Sequence, residues 1–250
     1  MRTGTVYGVN GNMAAVAFED RVMQGEVAYV VVGDEKLKSE VIRVRGKKAD
    51  LQVFEDTVGV RVGDTVEFSD ELLSVELAPG LLTQVYDALQ NPLPELAEKY
   101  GFFLKRGAYL SAVDHESEWE FTPSVKAGDK VRSGQKVGGV PEGIFDHWIM
   151  VPFQFQNEVL EVVEVAAKGI YKVKDTVAKL KDASGKIHDV TMFQVWPVKV
   201  PITAYAKKLK PVDPLVTKIR IIDTLVPVAV GGTFCTPGPF GAGKTVLQHL

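Results

Sequence analysis

The 250-residue chain has a single cysteine, Cys235. An intrachain disulfide is therefore excluded, and with it the class of small secreted domains stapled by disulfides. No apolar run approaches the roughly 18 residues that a membrane-spanning helix needs. The residues after Met1 also lack the apolar segment of a signal peptide. These absences favour a cytoplasmic protein.

A strong charge of one sign is also lacking. The chain has 29 Lys and Arg against 32 Asp and Glu, a formal net charge of −3 at pH 7. Such a balance gives no general attraction to nucleic acid or to an anionic membrane. We therefore expect no nucleic-acid partner, and an association with a membrane only indirectly, through other subunits.

Residues 1–70 have the pattern of a small all-β domain. Apolar residues alternate, as at Ala49, Leu51 and Val53, and turn signals such as Asn10-Gly11 separate the runs. Short strands joined by such turns predict a closed β-barrel. The predicted strands are Thr5–Val9, Met13–Phe18, Glu26–Val32, Glu40–Arg45, Lys48–Phe54 and Thr65–Phe68.

Residues 71–110 change to a helical pattern. Apolar side chains recur at helical spacing from Leu81 to Leu89, and this predicts a helix ending before Pro92. A second helix is predicted from Pro94 to Tyr100.

Residues 111–195 form a third region, rich in valine and glycine. Two runs, 125–140 and 149–165, resemble the halves of the barrel-sandwich found in biotinyl and lipoyl carrier domains. Those carriers need a lysine on a tight hairpin, and none lies in the expected place, so carrier function is disfavoured. The three histidines of the region are too scattered to suggest a metal site.

Residues 196–250 begin with an extended linker and end in a phosphate-binding motif. The apolar stretch Ile219–Val230 predicts a buried strand leading to the motif. Gly238 to Thr245 then fits the pattern G-x-x-x-x-G-K-[ST] at every fixed position. A chance glycine-rich turn before a helix is the alternative, and the predicted strand and helix on either side argue against it.

The motif residues suit the binding of ATP or ADP with Mg²⁺. The glycines let main-chain N–H groups form a concave anion site, and a helix starting near Gly243 directs its positive end at the phosphates. Lys244, the predicted catalytic residue, reaches the outer phosphates, and the Thr245 hydroxyl ligates Mg²⁺. The predicted nucleotide-binding residues are Gly238, Pro239, Phe240, Gly241, Ala242, Gly243, Lys244, Thr245 and Val246.

Four stretches give the sequence a specific resemblance to the catalytic A subunit, or alpha chain, of V-type and A-type rotary ATPases. Within the motif, the Phe240 position is typical of these subunits. The stretches are Gln52–Gly63, Val75–Leu82 together with Tyr86–Leu93, Arg220–Thr233 and Gly238–Gly241. By this resemblance residues 111–195 correspond to an insertion specific to A subunits and absent from the F-type β subunit.

The resemblance implies a mainly β fold with an α/β part. The parts are an N-terminal β-barrel, a β-rich barrel-sandwich bulge and the start of a P-loop, RecA-like nucleotide-binding domain. By the resemblance, residues 71–110 form the start of this nucleotide-binding domain, and residues 196–250 continue it as far as the P-loop. It also implies an A₃B₃ hexamer with B subunits, contacts with central and peripheral stalk subunits, and ATP hydrolysis or synthesis coupled to H⁺ or Na⁺ transport. The location implied is cytoplasmic, in the soluble sector peripheral to the membrane.

The resemblance also places the family's catalytic glutamate and Walker-B aspartate beyond Leu250. The sequence is therefore expected to be the N-terminal part of a longer enzyme, and inactive alone, because P-loop enzymes need such groups. Two departures stand out. Ala242 replaces a cysteine that many vacuolar members carry, which argues against a redox switch there, and Lys218 replaces a common glycine.

Other functions were weighed. A non-catalytic assembly or regulatory module that binds neighbouring ATPase subunits is the main alternative. An F-type or secretion-type ATPase is disfavoured by the insertion. A hexameric RNA translocase is disfavoured by the negative charge and by the lack of an aromatic and basic stacking surface.

Overall fold

A computed structural model describes residues 2–156, 158–205, 207 and 209–249. The chain divides into two compact units, Met1–Ala204 and Tyr205–Leu250. The first unit is built almost entirely of β-strands and contains a closed barrel and a pair of facing sheets. The prediction of a mainly β fold is therefore confirmed.

The N-terminal barrel consists of six antiparallel strands that close in the order β1-β2-β5-β4-β3-β6. The predicted strands are all present, two of them with identical bounds, and the others extend by a few residues or end one residue earlier. The strands are β1 Arg2–Asn10, β2 Met13–Phe18, β3 Glu26–Val32, β4 Glu35–Arg45, β5 Lys48–Val53 and β6 Thr65–Leu72.

Alternation along each strand fills the barrel interior with apolar side chains. In β5, for example, Ala49, Leu51 and Val53 are buried while the residues between them are partly exposed. The strands also approach closely at Gly4, where a Cβ would lie 2.7 Å from Val16 Cγ1 and 2.8 Å from the Ala17 carbonyl oxygen. Only glycine fits at that position without moving β2.

The segment after the barrel contains β7 Ser74–Leu77 and α1 Leu93–Tyr100. The second helix of the sequence prediction is thus confirmed. The helix predicted over Leu81–Leu89 is wrong, since these residues form turns. The physical reason lies in Asp87, whose carboxylate accepts hydrogen bonds from the N–H groups of Leu89 and Asn91. This closes a turn in which Gln90 has a φ of 64°, incompatible with a continuing helix.

Two four-stranded sheets follow, in the orders β11-β10-β8-β13 and β15-β14-β12-β9. Their buried side chains form adjoining apolar clusters, which include Phe121 and Val140 in one and Leu160 and Leu180 in the other. The strands are β8 Glu118–Pro123, β9 Lys130–Arg132, β10 Lys136–Glu142, β11 Phe145–Met150, β12 Val159–Val165, β13 Gly169–Lys172, β14 Thr176–Lys181 and β15 Ile187–Thr191. A 3₁₀ turn, Phe153–Phe155, precedes β12.

The chain leaves the two sheets along β16 Gln194–Pro197, which pairs antiparallel with β7. The Cα partners run from Gln194 opposite Leu77 to Pro197 opposite Ser74. Residues 78–193 therefore start and finish at neighbouring strands of one small ladder.

The second unit contains β17 Pro214–Leu215, α2 Arg220–Leu225, β18 Val228–Ala229 and α3 Lys244–His249. The buried strand predicted over Ile219–Val230 is wrong, because half of this stretch is helix α2 and only Val228 and Ala229 form a strand. The Asp223 carboxylate accepts hydrogen bonds from the Thr217 N–H, the Thr217 hydroxyl and the Lys218 N–H, and so fixes the turn that leads into the helix.

Candidate functional site

The predicted phosphate-binding motif forms a loop that ends where helix α3 begins. Gly241 and Gly243 both have a φ of 79°, a left-handed conformation that other residues rarely adopt. The loop is closed by a turn in which the Ala242 N–H donates to the Pro239 carbonyl oxygen at 3.3 Å. The backbone itself thus requires glycine at these two positions, as the motif predicts. The positive φ that the motif also suggests for Gly238 is wrong, since Gly238 does not have one.

Helix α3 starts at Lys244, directly after the loop. Its first intrahelical hydrogen bond runs from the Leu247 N–H to the Gly243 carbonyl oxygen at 3.0 Å. The N–H groups of the first helical turn have no partner within a helix and are free to meet an anion. The predicted helix start near Gly243 is confirmed.

Lys244 reaches back over the loop. Its Nζ donates hydrogen bonds to the carbonyl oxygens of Gly238 and Pro239, both at 2.7 Å. The ammonium group is therefore held by two carbonyl oxygens of the loop, which a phosphate oxygen could replace. Gly238 also packs closely, since a Cβ there would lie 3.2 Å from Ala242 Cβ and 3.8 Å from the aliphatic stem of Lys244.

An open cavity of about 560 Å³ lies beside the loop. Four of the predicted residues line it, namely Ala242, Gly243, Lys244 and Val246. Phe240 is fully exposed at the tip of the loop, and the Thr245 side chain is exposed on the first turn of α3. The structure thus brings the lysine and the helix start together around one cavity.

The remaining wall of the cavity comes from residues that the motif does not include: Phe234, Cys235, Thr236, Pro237 and Leu247. The first four directly precede the motif, and this adjacency is the one sequence signal that could have pointed to them. Cys235 is exposed. Residues 230–239, between the stretch predicted as a strand and the loop, form neither helix nor strand.

The described residues contain no group of three or more His, Cys, Asp or Glu side chains arranged to hold a metal ion. The metal ligand that the motif predicts is Thr245, and its hydroxyl oxygen is of the type that Mg²⁺ accepts. Within the same residues, no helix is both long and apolar enough to cross a membrane.

Two domain families match the chain, and both belong to the ATP synthase alpha/beta class. Residues 6–70 match the beta-barrel domain of the ATP synthase alpha/beta family. Residues 110–199 match the barrel-sandwich domain of ATP synthase alpha/beta subunits. The first range coincides with the closed barrel and the second with the two facing sheets.

Curated relatives narrow the assignment. The chain is 59% identical over 246 residues to V-type ATP synthase alpha chain 1 of Treponema pallidum, and 56% identical to the V-type ATP synthase alpha chain of Treponema denticola. It is 53% identical over 247 residues to that of Borreliella afzelii. These alignments cover 98–99% of this chain. The chain therefore belongs to the V-type ATP synthase alpha chain family.

The same alignments cover 42–43% of each relative. The chain thus spans less than half the length of the curated relatives that it matches.

Proposed function

We propose that the chain supplies the phosphate-binding part of the ATP-binding catalytic subunit of a V/A-type rotary ATPase. In this proposal the whole subunit couples ATP hydrolysis or synthesis to proton or sodium transport. The single observation that carries the proposal is the loop 238–245, which opens helix α3 with Lys244 lying across it, in a chain related to V-type ATP synthase alpha chains.

Each motif residue has a specific role in this proposal. Main-chain N–H groups around Gly241 and Gly243 hold the phosphates of ATP or ADP, because these glycines allow the backbone to approach. Lys244 exchanges the carbonyl oxygens of Gly238 and Pro239 for phosphate oxygens. Pro239, Phe240, Ala242 and Val246 complete the nucleotide-binding set.

Thr245 is the proposed Mg²⁺ ligand of the chain. Mg²⁺ prefers six oxygen ligands and usually keeps several waters together with phosphate oxygens, so a single hydroxyl from the loop fits this pattern. When bound, the ion neutralises charge that develops on the transferred phosphoryl group. The carboxylate and the group that orients water are proposed to lie outside residues 1–250, as the resemblance implies.

The assembly partners belong to the same proposal. We propose an A₃B₃ hexamer with B subunits, in contact with central and peripheral stalk subunits and located in the cytoplasm, peripheral to the membrane. We also propose four functional parts: 1–70, 71–110, 111–195 and 196–250. The barrel and the facing sheets have their own apolar cores, which also suits the alternative of a non-catalytic module that binds neighbouring subunits.

The test compares two lysines in the full-length protein. Lys244→Ala removes the ammonium group from the loop, and we expect ATP turnover to fall on the order of 10²-fold or more, the effect of losing one transition-state donor. Lys210→Ala, an exposed lysine outside the loop, is the matched control and should leave turnover unchanged. Equal turnover in the Lys244→Ala variant and the wild type would remove Lys244 from the mechanism.

A second measurement separates binding from turnover. The full-length protein should bind a fluorescent ADP analogue, and Lys244→Ala should weaken this binding, whereas the 250-residue chain alone should show no sustained ATP hydrolysis. Metal-dependent turnover by the 250-residue chain alone would contradict the proposal that the catalytic carboxylate and the group that orients water lie outside it. Binding of B or stalk subunits without any nucleotide binding would favour the assembly module instead.

A further inference from the structure

Two glutamates are buried in the ladder formed by β3 and β4, and their carboxylates have different kinds of hydrogen-bond partner. Glu26, the first residue of β3, is fully buried. Its carboxylate accepts hydrogen bonds from Arg2 Nη2 at 2.5 Å, the Met23 N–H at 3.0 Å and the Asp70 N–H at 2.8 Å. Three donors from the barrel itself thus hold this carboxylate, which explains its burial without a ligand.

Glu40 lies in β4, opposite Val27 of β3, and its side chain is 5% exposed. The one partner found for its carboxylate among the described residues is Lys199, whose Nζ lies 2.5 Å from Oε1. Lys199 is distant in sequence, and its side chain is 65% exposed. A buried carboxylate is therefore neutralised by a flexible, solvated side chain rather than by fixed barrel donors.

A cavity of about 320 Å³ opens at this ion pair. Besides Glu40 and Lys199, its wall is mainly apolar and includes Val41, Ile42, Leu72, Leu73 and Pro197. The volume lies at the lower end of the range for small-molecule sites, and an apolar wall with one oriented polar group is their usual composition.

The absence of a side chain at Gly25 leaves the Glu40 carboxylate accessible from the cavity. Gly25 also lines the cavity and has a φ of 83°. A Cβ at this residue would lie 3.8 Å from Glu40 Oε1 and 3.5 Å from Leu72 Cδ2, so a longer side chain would narrow the space in front of the carboxylate. The Gly25 N–H donates to the Val41 carbonyl oxygen at 2.7 Å, which fixes the loop in place.

We propose that this cavity, the Glu40 pocket, binds a small organic cation that has a primary ammonium group and a short apolar body. The ammonium group takes the place of Lys199 Nζ on the Glu40 carboxylate, and the apolar body packs against the aliphatic wall. Such a ligand removes apolar surface from water, which Lys199 with its exposed stem does not. The proposal is independent of the phosphate loop.

The test uses n-butylammonium as the probe and 1-butanol as its neutral counterpart. The variant Lys199→Met removes the competing ammonium group while keeping an aliphatic side chain. In the wild type, Lys199 competes for the Glu40 carboxylate, so the apparent affinity for n-butylammonium is reduced to the fraction of molecules in which the carboxylate is free. Without this competition, we expect the variant to bind n-butylammonium about tenfold more tightly than the wild type. NMR titration of the Glu40 carboxyl carbon reports the binding directly.

Lys168→Met is the matched control. Lys168 also pairs with a glutamate, Glu120, at 2.9 Å, but both side chains are more than half exposed. This variant should bind n-butylammonium as the wild type does. Glu40→Gln in the Lys199→Met background should abolish binding, since the negative charge is then gone.

Three results would overturn the proposal: no binding of n-butylammonium to a folded Lys199→Met variant, equal binding of 1-butanol, or an equal gain in Lys168→Met. Should Glu40→Gln fail to fold, displacement of Lys199 can still be tested in the wild type. There, n-butylammonium should shift the Lys199 Cε–Hε signal towards that of a solvated lysine, and an unmoved signal at saturating probe would count against displacement.

Discussion

The barrel and the phosphate-loop unit differ in how completely they bury their own apolar side chains. In the barrel, Val6, Val16, Val30 and Leu37 are all fully buried. In the described part of the second unit, helix α3 has no buried residue, and helix α2 buries only Ile222. The barrel contains its whole core, whereas the loop unit presents most of its apolar side chains to the outside.

The barrel and the loop unit are therefore stabilised by different kinds of contact. A closed barrel has no free strand edge and encloses its core, so its strands stabilise one another. A six-residue helix is too short to be stable alone in water and depends on packing of its apolar face. The loop geometry at 238–245 therefore depends on partners for the apolar side chains of α2 and α3, and the barrel does not.

The largest effect is expected from Leu51→Ala in the barrel. Leu51 is fully buried in β5, and removing its side chain should lower the free energy of unfolding by about 2–5 kcal/mol. Urea denaturation followed by far-UV circular dichroism measures this loss. A loss below about 1 kcal/mol would mean that the barrel does not depend on its own core.

A smaller loss is expected from Gly138→Ala in the facing sheets. The new Cβ would overlap the buried Phe121 ring and lie 2.8 Å from the Thr122 carbonyl oxygen. Overpacking of this kind costs about 1–3 kcal/mol, measurable by urea denaturation. Gly8→Ala is the control, because its Cβ would meet nothing nearer than Ala15 Cβ at 3.8 Å.

Acid should loosen the hairpin of β14 and β15. Hydrogen bonds from His188 and then Ser184 lower the pKa of Asp182 below its usual value. A carboxyl whose folded pKa is depressed stabilises the fold above its unfolded pKa, about 3.9, and this stability is lost as the pH falls towards the folded value. The protection factors of the hairpin amides, which correct for the intrinsic pH dependence of exchange, should therefore fall below about pH 4.

Asp182→Asn should remove most of the pH dependence of these protection factors and keep them low at every pH. Asp189→Asn, on the exposed side of the same hairpin, should retain the wild-type pH profile. Identical profiles for the wild type and Asp182→Asn would show that another group governs the acid response.

The smallest effect is expected from Leu225→Ala in the loop unit. Leu225 is 72% exposed on α2, so its removal should change the free energy of unfolding of the 250-residue chain by less than about 0.5 kcal/mol. Denaturation under the conditions used for Leu51→Ala gives the direct comparison. A loss as large as that of Leu51→Ala would contradict the contrast between the two units.

The barrel could be predicted from the sequence because its strands are short, alternating and bounded by turn residues. The two wrong predictions, over 81–89 and 219–230, share a cause. In each stretch an aspartate, Asp87 or Asp223, accepts several local hydrogen bonds and decides the backbone path. Apolar spacing does not register such side-chain to backbone bonds, which override weak preferences for helix or strand.

Part of the candidate site was also accessible from sequence. The motif predicts the left-handed glycines, the start of α3 and a lysine that covers the loop, because these follow from backbone geometry within eight residues. Adjacency to the motif was the one sequence signal for the contribution of Phe234 to Pro237 to the cavity wall. Their positions in that wall depend on how an irregular segment folds beside the loop, which apolar spacing does not predict.

The β7–β16 ladder has a consequence for how such chains diverge. Because Leu77 and Gln194 are direct partners, the chain enters and leaves residues 78–193 at one two-stranded stem. Insertion and exchange of segments are best tolerated where both ends meet. The facing sheets could thus change in size while the six barrel strands keep their register, provided that the bonds from residues 106–109 to the barrel, such as that from the Tyr109 hydroxyl to Glu55, are kept.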